Sequence, residues 1–497
     1  MTTTEALLTR DYSRTLKMPL DGRQDRQDRV VILCSTLWSI RNVVLSGLLQ
    51  KLKSLSVTPF LLVSQNFAQP AAKACAGAEG LSRLRDASLS KSKAGKALLD
   101  DLLFASFARR YEISSYAIFN EWLKRNQPRS QNLRSLLVNW FSWLGCRDFF
   151  YHWQIENLER FIRDTRDFTP IREQLVQLNP SLVMTTNCTT ATECQYLRVA
   201  QDLDIPTLNW VLSFDNLTSR GRLPKADFYA VWNDRMKAQV LRLYPELKAA
   251  NVQVTGTTQF DFHVRKNLRW NREATLRRLG LKKDDRYLLY AANSAYWTPS
   301  EPTLVAEFAR RLQASADLNA HRIIVRLHPL DDFNRWRQIE TIKGRAVISR
   351  PWDQDGNGFD IEDQALLVNS LLHADVCINM ASTMSLDAAV LDTPVVCAAF
   401  AGQSGGAEDR FCKRAYHTEH YRPLVESGGL RVAENMDQLL AEVSAYARNR
   451  ERDGSGRQQL ARREVGQVDG HASERVASFV AGISRPTCGA RRASLGN

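Results

Sequence analysis

Short, β-branched apolar runs alternate with amphipathic stretches along most of the chain, and the spacing predicts two series of strand–helix units. Val30–Cys34 is the first run. Behind it Leu45, Leu48, Leu49 and Leu52 recur at helical spacing, which predicts one helix over 41–52, and 58–63 is apolar again. A strand, a helix and a strand in so short a span make a βαβ unit with parallel pairing. The rhythm resumes with apolar runs at 180–186, 205–210, 228–232 and 252–256. Thr190 and Glu193 stand at capping-box spacing before a helix that runs to about 203, so Glu193 reads as a capping residue rather than a catalyst. After a charged helix at 271–280, a second series places strands at 287–291, 322–327, 346–348, 376–379 and 395–397, and 436–483 reads as helices.

Residues 80–175 interrupt this order with helical, aromatic-rich sequence, above all Trp140, Phe141, Trp143 and the run Phe149–Trp153. Polar residues break it too often for a membrane span, and a buried helix pair is preferred over a face that touches a membrane. The fold class that follows is α/β. Two Rossmann-like doubly wound domains face a cleft, with a helical insertion in the first and helices at the C-terminus. The expected boundaries are a disordered tail at 1–28, a first domain at 29–260, a second at 285–430, helices at 431–484 and a basic tail at 485–497.

Composition narrows the class. The 497 residues are 44% hydrophobic and contain 11 Trp and 20 Phe, as in a folded protein. No run is long and apolar enough for a signal peptide or a spanning helix, so a cytoplasmic location is expected. Nine scattered cysteines without a CxxC pair read as reduced and mostly buried thiols. The net charge of +13 leaves phosphorylated donors and an anionic membrane surface as open partners, with peripheral contact at the inner face of the membrane. No nucleic-acid-reading motif occurs.

Two motifs carry chemistry. The segment 375–389 is a strand that ends at Ser382 and Thr383 and opens a helix containing Ser385 and Asp387. Free N–H groups and hydroxyls at such a start suit a phosphate, and a carboxylate one turn further in suits a ribose diol. In the same series a strand ends in His328-Pro329, and a histidine there can hydrogen-bond a leaving diphosphate or, when protonated, pair with its charge. Asp215, in the loop 213–218, is either a general base for an acceptor hydroxyl or an Asx-turn residue. The Asp353-Gln354-Asp355 run sits in a Gly-rich loop of the wrong domain for metal binding, and no metal or other cofactor is expected.

The stretches 326–329, 374–396 and 416–430 resemble the C-terminal domain of the GT-B glycosyltransferase superfamily, in particular bacterial surface-polysaccharide and CDP-glycerol glycerophosphotransferase-like proteins. In the first half, 213–221 is similar to that group's Trp-Asp-Asn-Leu loop with Phe214 in the Trp place, and 254–261 to its Val-Thr-Gly-x-x-x-Phe-Asp segment. The similarity covers about 180–430 and is thin before 175. It implies a GT-B transferase in polysaccharide or glycoconjugate synthesis, acting on a UDP-, GDP-, CMP- or CDP-linked donor and a glycan, lipid-linked or small-molecule acceptor. Glycosyl transfer is the first reading. CDP-polyol phosphotransfer, 2-epimerisation of a nucleotide sugar, and a non-catalytic binding shell are the alternatives. Carried over by position, His328, Ser382, Thr383 and Ser385 lie at the donor phosphates and Asp387 at the ribose. Asn293 to Trp297 lie at the cleft, where Tyr296 or Trp297 is either a ring that stacks on the base or a core aromatic, and His420 is a further donor-side candidate. Ser35, Arg41, Asn42 and Asn216 join Asp215 on the acceptor side.

Overall fold

The computed structural model describes residues 28–65, 80–89, 94–124, 131–219, 221–340, 345–350, 360–403 and 405–484. The expected terminal tails and the 353–355 run fall almost wholly or wholly outside them. The chain divides into two compact units, each described by itself.

The first unit takes its described residues from Met1–Tyr111, Leu136–Gln259 and His471–Asn497. Its strands are β1 (Arg29–Cys34), β2 (Thr58–Val63), β3 (Gly80–Arg83), a short antiparallel pair β4 (Ser88–Leu89) and β5 (Arg166–Asp167), then β6 (Leu182–Thr185), β7 (Thr207–Trp210), β8 (Phe228–Val231) and β9 (Val252–Val254). Seven of them form a parallel sheet in the order β3-β2-β1-β6-β7-β8-β9. Period-two alternation sends Val30, Ile32 and Cys34 to one face and Val31 and Leu33 to the other. Leu48, Leu49 and Leu52 cover the first face together with Val476, Ala477 and Val480 of the helix Ala472–Ser484, while Ile171, Leu175, Tyr196 and Val199 cover the second. Both faces are thus buried, as parallel sheets require. The expected single helix over 41–52 is corrected here. It is split into Leu37–Ile40, a π-turn Arg41–Leu45 and Leu48–Ser54, with Gly47 at φ 87° forming the break.

The second unit comprises Glu112–Ser135 and Phe260–Gly470. It therefore includes the helix Ser114–Lys124, which lies in the aromatic-rich stretch of sequence, whereas the last C-terminal helix belongs with the first unit. Its strands are β10 (Arg286–Ala291), β11 (His321–Arg326), β12 (Ala346–Ser349), β13 (Val376–Asn379), β14 (Val395–Ala398) and β15 (Arg431–Ala433), all parallel in the order β12-β11-β10-β13-β14-β15. From β10 the chain first builds outward through β11 and β12, then crosses to β13 on the other side. The switch point lies between β10 and β13; in the first unit it lies between β1 and β6.

The aromatic helices depart from the buried pair expected of them. Tyr151, Leu158 and Ile162 of the helix Asp148–Thr165 are buried, but Trp140, Phe141, Trp143, Phe149, Phe150 and Trp153 are between 39% and 75% exposed. One face of this pair has no apolar partner among the described residues. Of the described cysteines, Cys34, Cys188, Cys377, Cys397 and Cys412 are buried, and Cys146 is exposed. No described helix is long and apolar enough to cross a membrane.

Candidate functional site

The register of the second sheet places its strand ends level. Ala291 pairs with Arg326 on one side and with Asn379 on the other. Two residues past those ends come Asn293 and His328, and three past comes Ser382. Three of the expected donor-side positions are therefore delivered to one edge of one sheet, around its switch point, where open α/β sheets bind ligands.

Asn293 is held from two directions. Its backbone N–H donates to both carboxylate oxygens of Glu301, at 3.2 and 3.0 Å, and its Nδ2 donates to the Met380 carbonyl at 2.7 Å. The second bond latches the loop after β10 to the loop after β13 across the switch point. Glu301 is fully buried and also accepts the Tyr290 hydroxyl (3.0 Å) and the Thr298 hydroxyl (2.9 Å). Burial pushes its carboxyl up to about 8, against the opposing pull of Thr298, Arg335 and the Asn293 N–H. Arg335 braces the same loop by donating to the carbonyls of Thr298 (2.9 Å) and Asn293 (3.2 Å).

His328 is mostly buried, and that burial pushes its imidazole down to about 4, with Arg335 adding to the shift and Asp331 opposing it. Its Nδ1 accepts the Leu330 N–H at 3.1 Å. The neutral ring therefore carries its proton on Nε2. Of the two roles expected from the sequence, the geometry favours the neutral hydrogen-bond donor over the cation.

At the start of the helix Met384–Val390, the Ser382 hydroxyl accepts the Met384 N–H (3.3 Å), and Thr383 makes no side-chain cap. Ala381 just before them has φ 46°, a left-handed conformation that a non-glycine residue adopts at a cost of about 1 kcal/mol. Ser385 and Asp387 are drawn inward. The Ser385 hydroxyl lies 2.7 Å from that of Tyr421 and donates to Asn379 Oδ1 at 3.2 Å. Asp387 Oδ1 lies 3.0 Å from Nε2 of His263, both side chains being buried. Direct contacts of these two with phosphate and ribose, expected from the sequence, do not fit this burial; they support the helix start from behind.

Trp297 and His420 meet through a residue that the sequence reading missed. Trp297 stacks on Phe411 (5.4 Å, 11°), and Phe119 of the helix Ser114–Lys124 packs on Trp297 (5.3 Å) and lies parallel to the His420 ring (6.4 Å, 16°). Glu419 fastens that helix by accepting the Ser115 N–H (2.9 Å) and the Ser114 hydroxyl (2.8 Å). Trp297 thus serves as a packed wall, and the half-exposed ring is Tyr296.

In the first unit Ser35 sits at the end of β1, and its N–H donates to Glu193 at 3.1 Å. The other carboxylate oxygen of Glu193 accepts the N–H groups of Thr186 (2.8 Å) and Asn187 (2.7 Å) after β6. Thr190 caps the helix as expected, but the Glu193 carboxylate does not reach back to complete the box; it ties the two strand ends at the switch point. Arg41 donates to Asn42 Oδ1 and to Gln259 Oε1, both at 3.0 Å, and Arg41 and Asn42 are buried in the π-turn. In the loop after β7 the Asp215 carboxylate accepts the Ser213 hydroxyl, and Asn216 Oδ1 accepts the Ser213 N–H at 3.0 Å. Asp215 is partly exposed, so both of its expected roles are sterically open.

Among the described residues no group of three or more His, Cys, Asp or Glu is arranged to hold a metal ion. Glu301 and Arg335 were unmarked in the sequence reading. The one available signal for Glu301 is Thr298-x-x-Glu301, the same spacing as Thr190-x-x-Glu193. In both sheets that glutamate turns to the backbone N–H groups of a strand end.

The family model for CDP-glycerol:poly(glycerophosphate) glycerophosphotransferase matches residues 215–482, more than half of the chain and the whole described second sheet. The chain belongs to this family. Its fold is GT-B, as solved structures of similar architecture show. A putative UDP-N-acetylglucosamine 2-epimerase from Listeria monocytogenes aligns with TM-score 0.54 at 13% identity, over 93% of this chain and 98% of that one. UDP-GlcNAc 2-epimerase from Neisseria meningitidis, bound to UDP-GlcNAc, aligns with TM-score 0.53 at 10% identity, over 91% and 100%. The S. aureus MnaA–UDP co-structure aligns with TM-score 0.51 at 13% identity, over 91% and 95%. No curated protein matches. Family membership relates the chain to glycerophosphotransferases, and the solved structures add the fold.

Proposed function

We propose that this family member transfers a polyol phosphate from a CDP-linked donor to a hydroxyl acceptor, with the donor held by the second unit. The observation that carries the reading is the family match over 215–482. It raises polyol phosphotransfer above glycosyl transfer, which the motifs alone put first. In the proposed step the acceptor oxygen attacks the phosphorus that bears the polyol. The pyrophosphate P–O bond breaks, CMP leaves with the bridging oxygen, and the acceptor proton passes to a base, for which Asp215 is the candidate. Negative charge grows on the departing CMP. His328, neutral and protonated on Nε2, is the candidate donor to that charge, with Ser382 and Thr383 beside it. Asn293, Glu301 and Arg335 position this edge, and Ser35, Arg41, Asn42 and Asn216 are the candidate acceptor-side residues. No metal or other cofactor has a part in this reading.

Glycosyl transfer is the second reading, favoured by the UDP and UDP-GlcNAc in the similar solved structures. There the acceptor attacks a sugar carbon, and a nucleoside diphosphate leaves intact. The nucleotide product separates the two. A panel of CDP-glycerol, CDP-ribitol, UDP-GlcNAc and GDP-mannose, each with and without a polyol or glycan acceptor, is expected to give acceptor-dependent CMP from a CDP-polyol. His328→Ala should lower that turnover by on the order of 10²–10³. Unchanged turnover in His328→Ala would remove His328 from the chemistry, and epimerised UDP-GlcNAc without acceptor would replace the transferase reading.

A further inference from the structure

The helix Ser114–Lys124 belongs to the second unit, although the sequence on either side of Glu112–Ser135 belongs to the first. The chain turns into it at Glu112, whose φ of 54° is left-handed, a conformation that costs a non-glycine residue energy. Such strain persists only where the surroundings fix it. Here a polar latch and an aromatic anchor do so. Ser115 donates its N–H (2.9 Å) and its hydroxyl (2.6 Å) to the two carboxylate oxygens of Glu419. Two turns on, Trp122 packs against Phe411 at 4.9 Å between ring centroids. Ser115, Phe119 and Trp122 recur at helical spacing and so share one face. Ser115 and Trp122 are fully buried, yet Phe119 between them is only partly covered. The middle of a docked face is normally its driest part, so this one is open to solvent beside the rings it packs on. Those rings stand at the donor-side edge. Trp297 lies 5.3 Å from Phe119, and the half-exposed Tyr296 sits edge-on to Trp297 at 4.8 Å. The Trp297 N–H donates to the Ser294 carbonyl at 3.0 Å, which ties this ring to the residue next to Asn293. Trp297, Phe411, Glu419 and His420 lie within the family-matched residues 215–482, whereas Ser115 and Phe119 lie outside them.

We propose that Phe119 is a positioning residue of the donor site, holding Trp297, and through Trp297 the Tyr296 ring, against the base of a nucleotide-linked donor. The inference rests on the reading that the second unit binds that donor, and it adds a wall brought in from the first half of the sequence. Trp297 stacks on Phe411 and packs on Phe119, so it has two aromatic neighbours that fix its plane. Without the Phe119 ring Trp297 gains room to turn, and Tyr296 loses the fixed backing that lets a ring meet a base at little ordering cost. The loss corresponds to about tenfold in nucleotide affinity, the size of one aromatic pair.

Calorimetric titration of the full chain with CDP tests it, at a temperature where every variant is folded. Phe119→Ala should weaken CDP binding about tenfold. Phe119→Leu, which keeps apolar bulk against Trp297, should recover most of that loss. In a Tyr296→Ala background Phe119→Ala should cost less than about twofold, because the ring it positions is gone; a Phe119 that only holds the fold together would cost the same in both backgrounds. Glu121→Ala removes the pairs of the same helix with Arg410 and Arg414 at exposed positions and should leave CDP affinity unchanged. Equal CDP affinity in Phe119→Ala and the wild type, equal costs in the two backgrounds, or no CDP binding by the wild type would overturn the proposal. Turnover separates it from the transfer reading. Acceptor-dependent CMP release with an unchanged donor KM in Phe119→Ala overturns this inference alone. Weakened CDP binding in Phe119→Ala, with no CMP released by the wild type, overturns the transfer reading alone.

Discussion

Replacing Glu301 by Gln probes how the donor-side edge is held. In the wild type the buried carboxyl accepts the Asn293 N–H and the hydroxyls of Tyr290 and Thr298. Its burial raises the folded-state value from 4.5 to about 8. The sign follows from proton counting: between those values the folded chain keeps a proton that the unfolded chain has lost. Stability therefore falls as pH rises from about 4.5 to 8. At about 1.4 kcal/mol per tenfold, the full span corresponds to on the order of 4–5 kcal/mol. Glutamine keeps one carbonyl acceptor and does not titrate. Glu301→Gln should be the less stable protein at pH 5, by about 2–3 kcal/mol through strained or lost hydrogen bonds. That gap should shrink or reverse by pH 8.5. Melting temperatures of both proteins at intervals across this range provide the assay, with the donor KM measured alongside, because a loosened Asn293 loop should raise KM more than it lowers kcat. Parallel stability curves for the two proteins would refute a raised carboxyl at this site.

Two further outcomes follow from the same geometry. Because burial holds His328 at about 4, donor binding should be indifferent to this group between pH 6 and 8 and should respond to it only as the pH approaches 4; a binding transition near 6.5 that disappears in His328→Asn would contradict this. Asp387→Ala leaves the buried His263 without the carboxylate 3.0 Å away and should lower stability by about 2–4 kcal/mol, read by melting temperature, with Asp387→Asn the milder change.

Much of the frame was legible because it depends on local pattern. Each strand of the second sheet announced itself as a short apolar run between polar segments, and parallel pairing followed from the helices between them. The ends of β11 and β13 could be found the same way, since His328-Pro329 and Ser382-Thr383 close apolar runs. Side-chain direction was not legible. Ser385 and Asp387 fall one turn into a helix whose face is chosen by Tyr421 and His263, 36 and 124 residues away along the chain. Glu193 and Glu301 matched a local capping pattern, yet their carboxylates serve strand ends, and for Glu193 one of those lies 158 residues earlier. Phe119 stands in a stretch of helices with no visible tie to the donor side; its partners Trp297 and His420 become neighbours only in the folded unit. The aromatic helices were misjudged for the same reason. Amphipathic spacing says that one face is apolar, but the supply of packing partners decides whether it is buried.

The most direct test of polyol phosphate transfer by this glycerophosphotransferase family member is ³¹P NMR of a reaction with CDP-glycerol and a polyol phosphate acceptor. A new phosphodiester resonance growing in step with CMP, and absent in His328→Ala, is the predicted result. Release of an intact nucleoside diphosphate with no phosphodiester formed, from any donor in the panel, would contradict it.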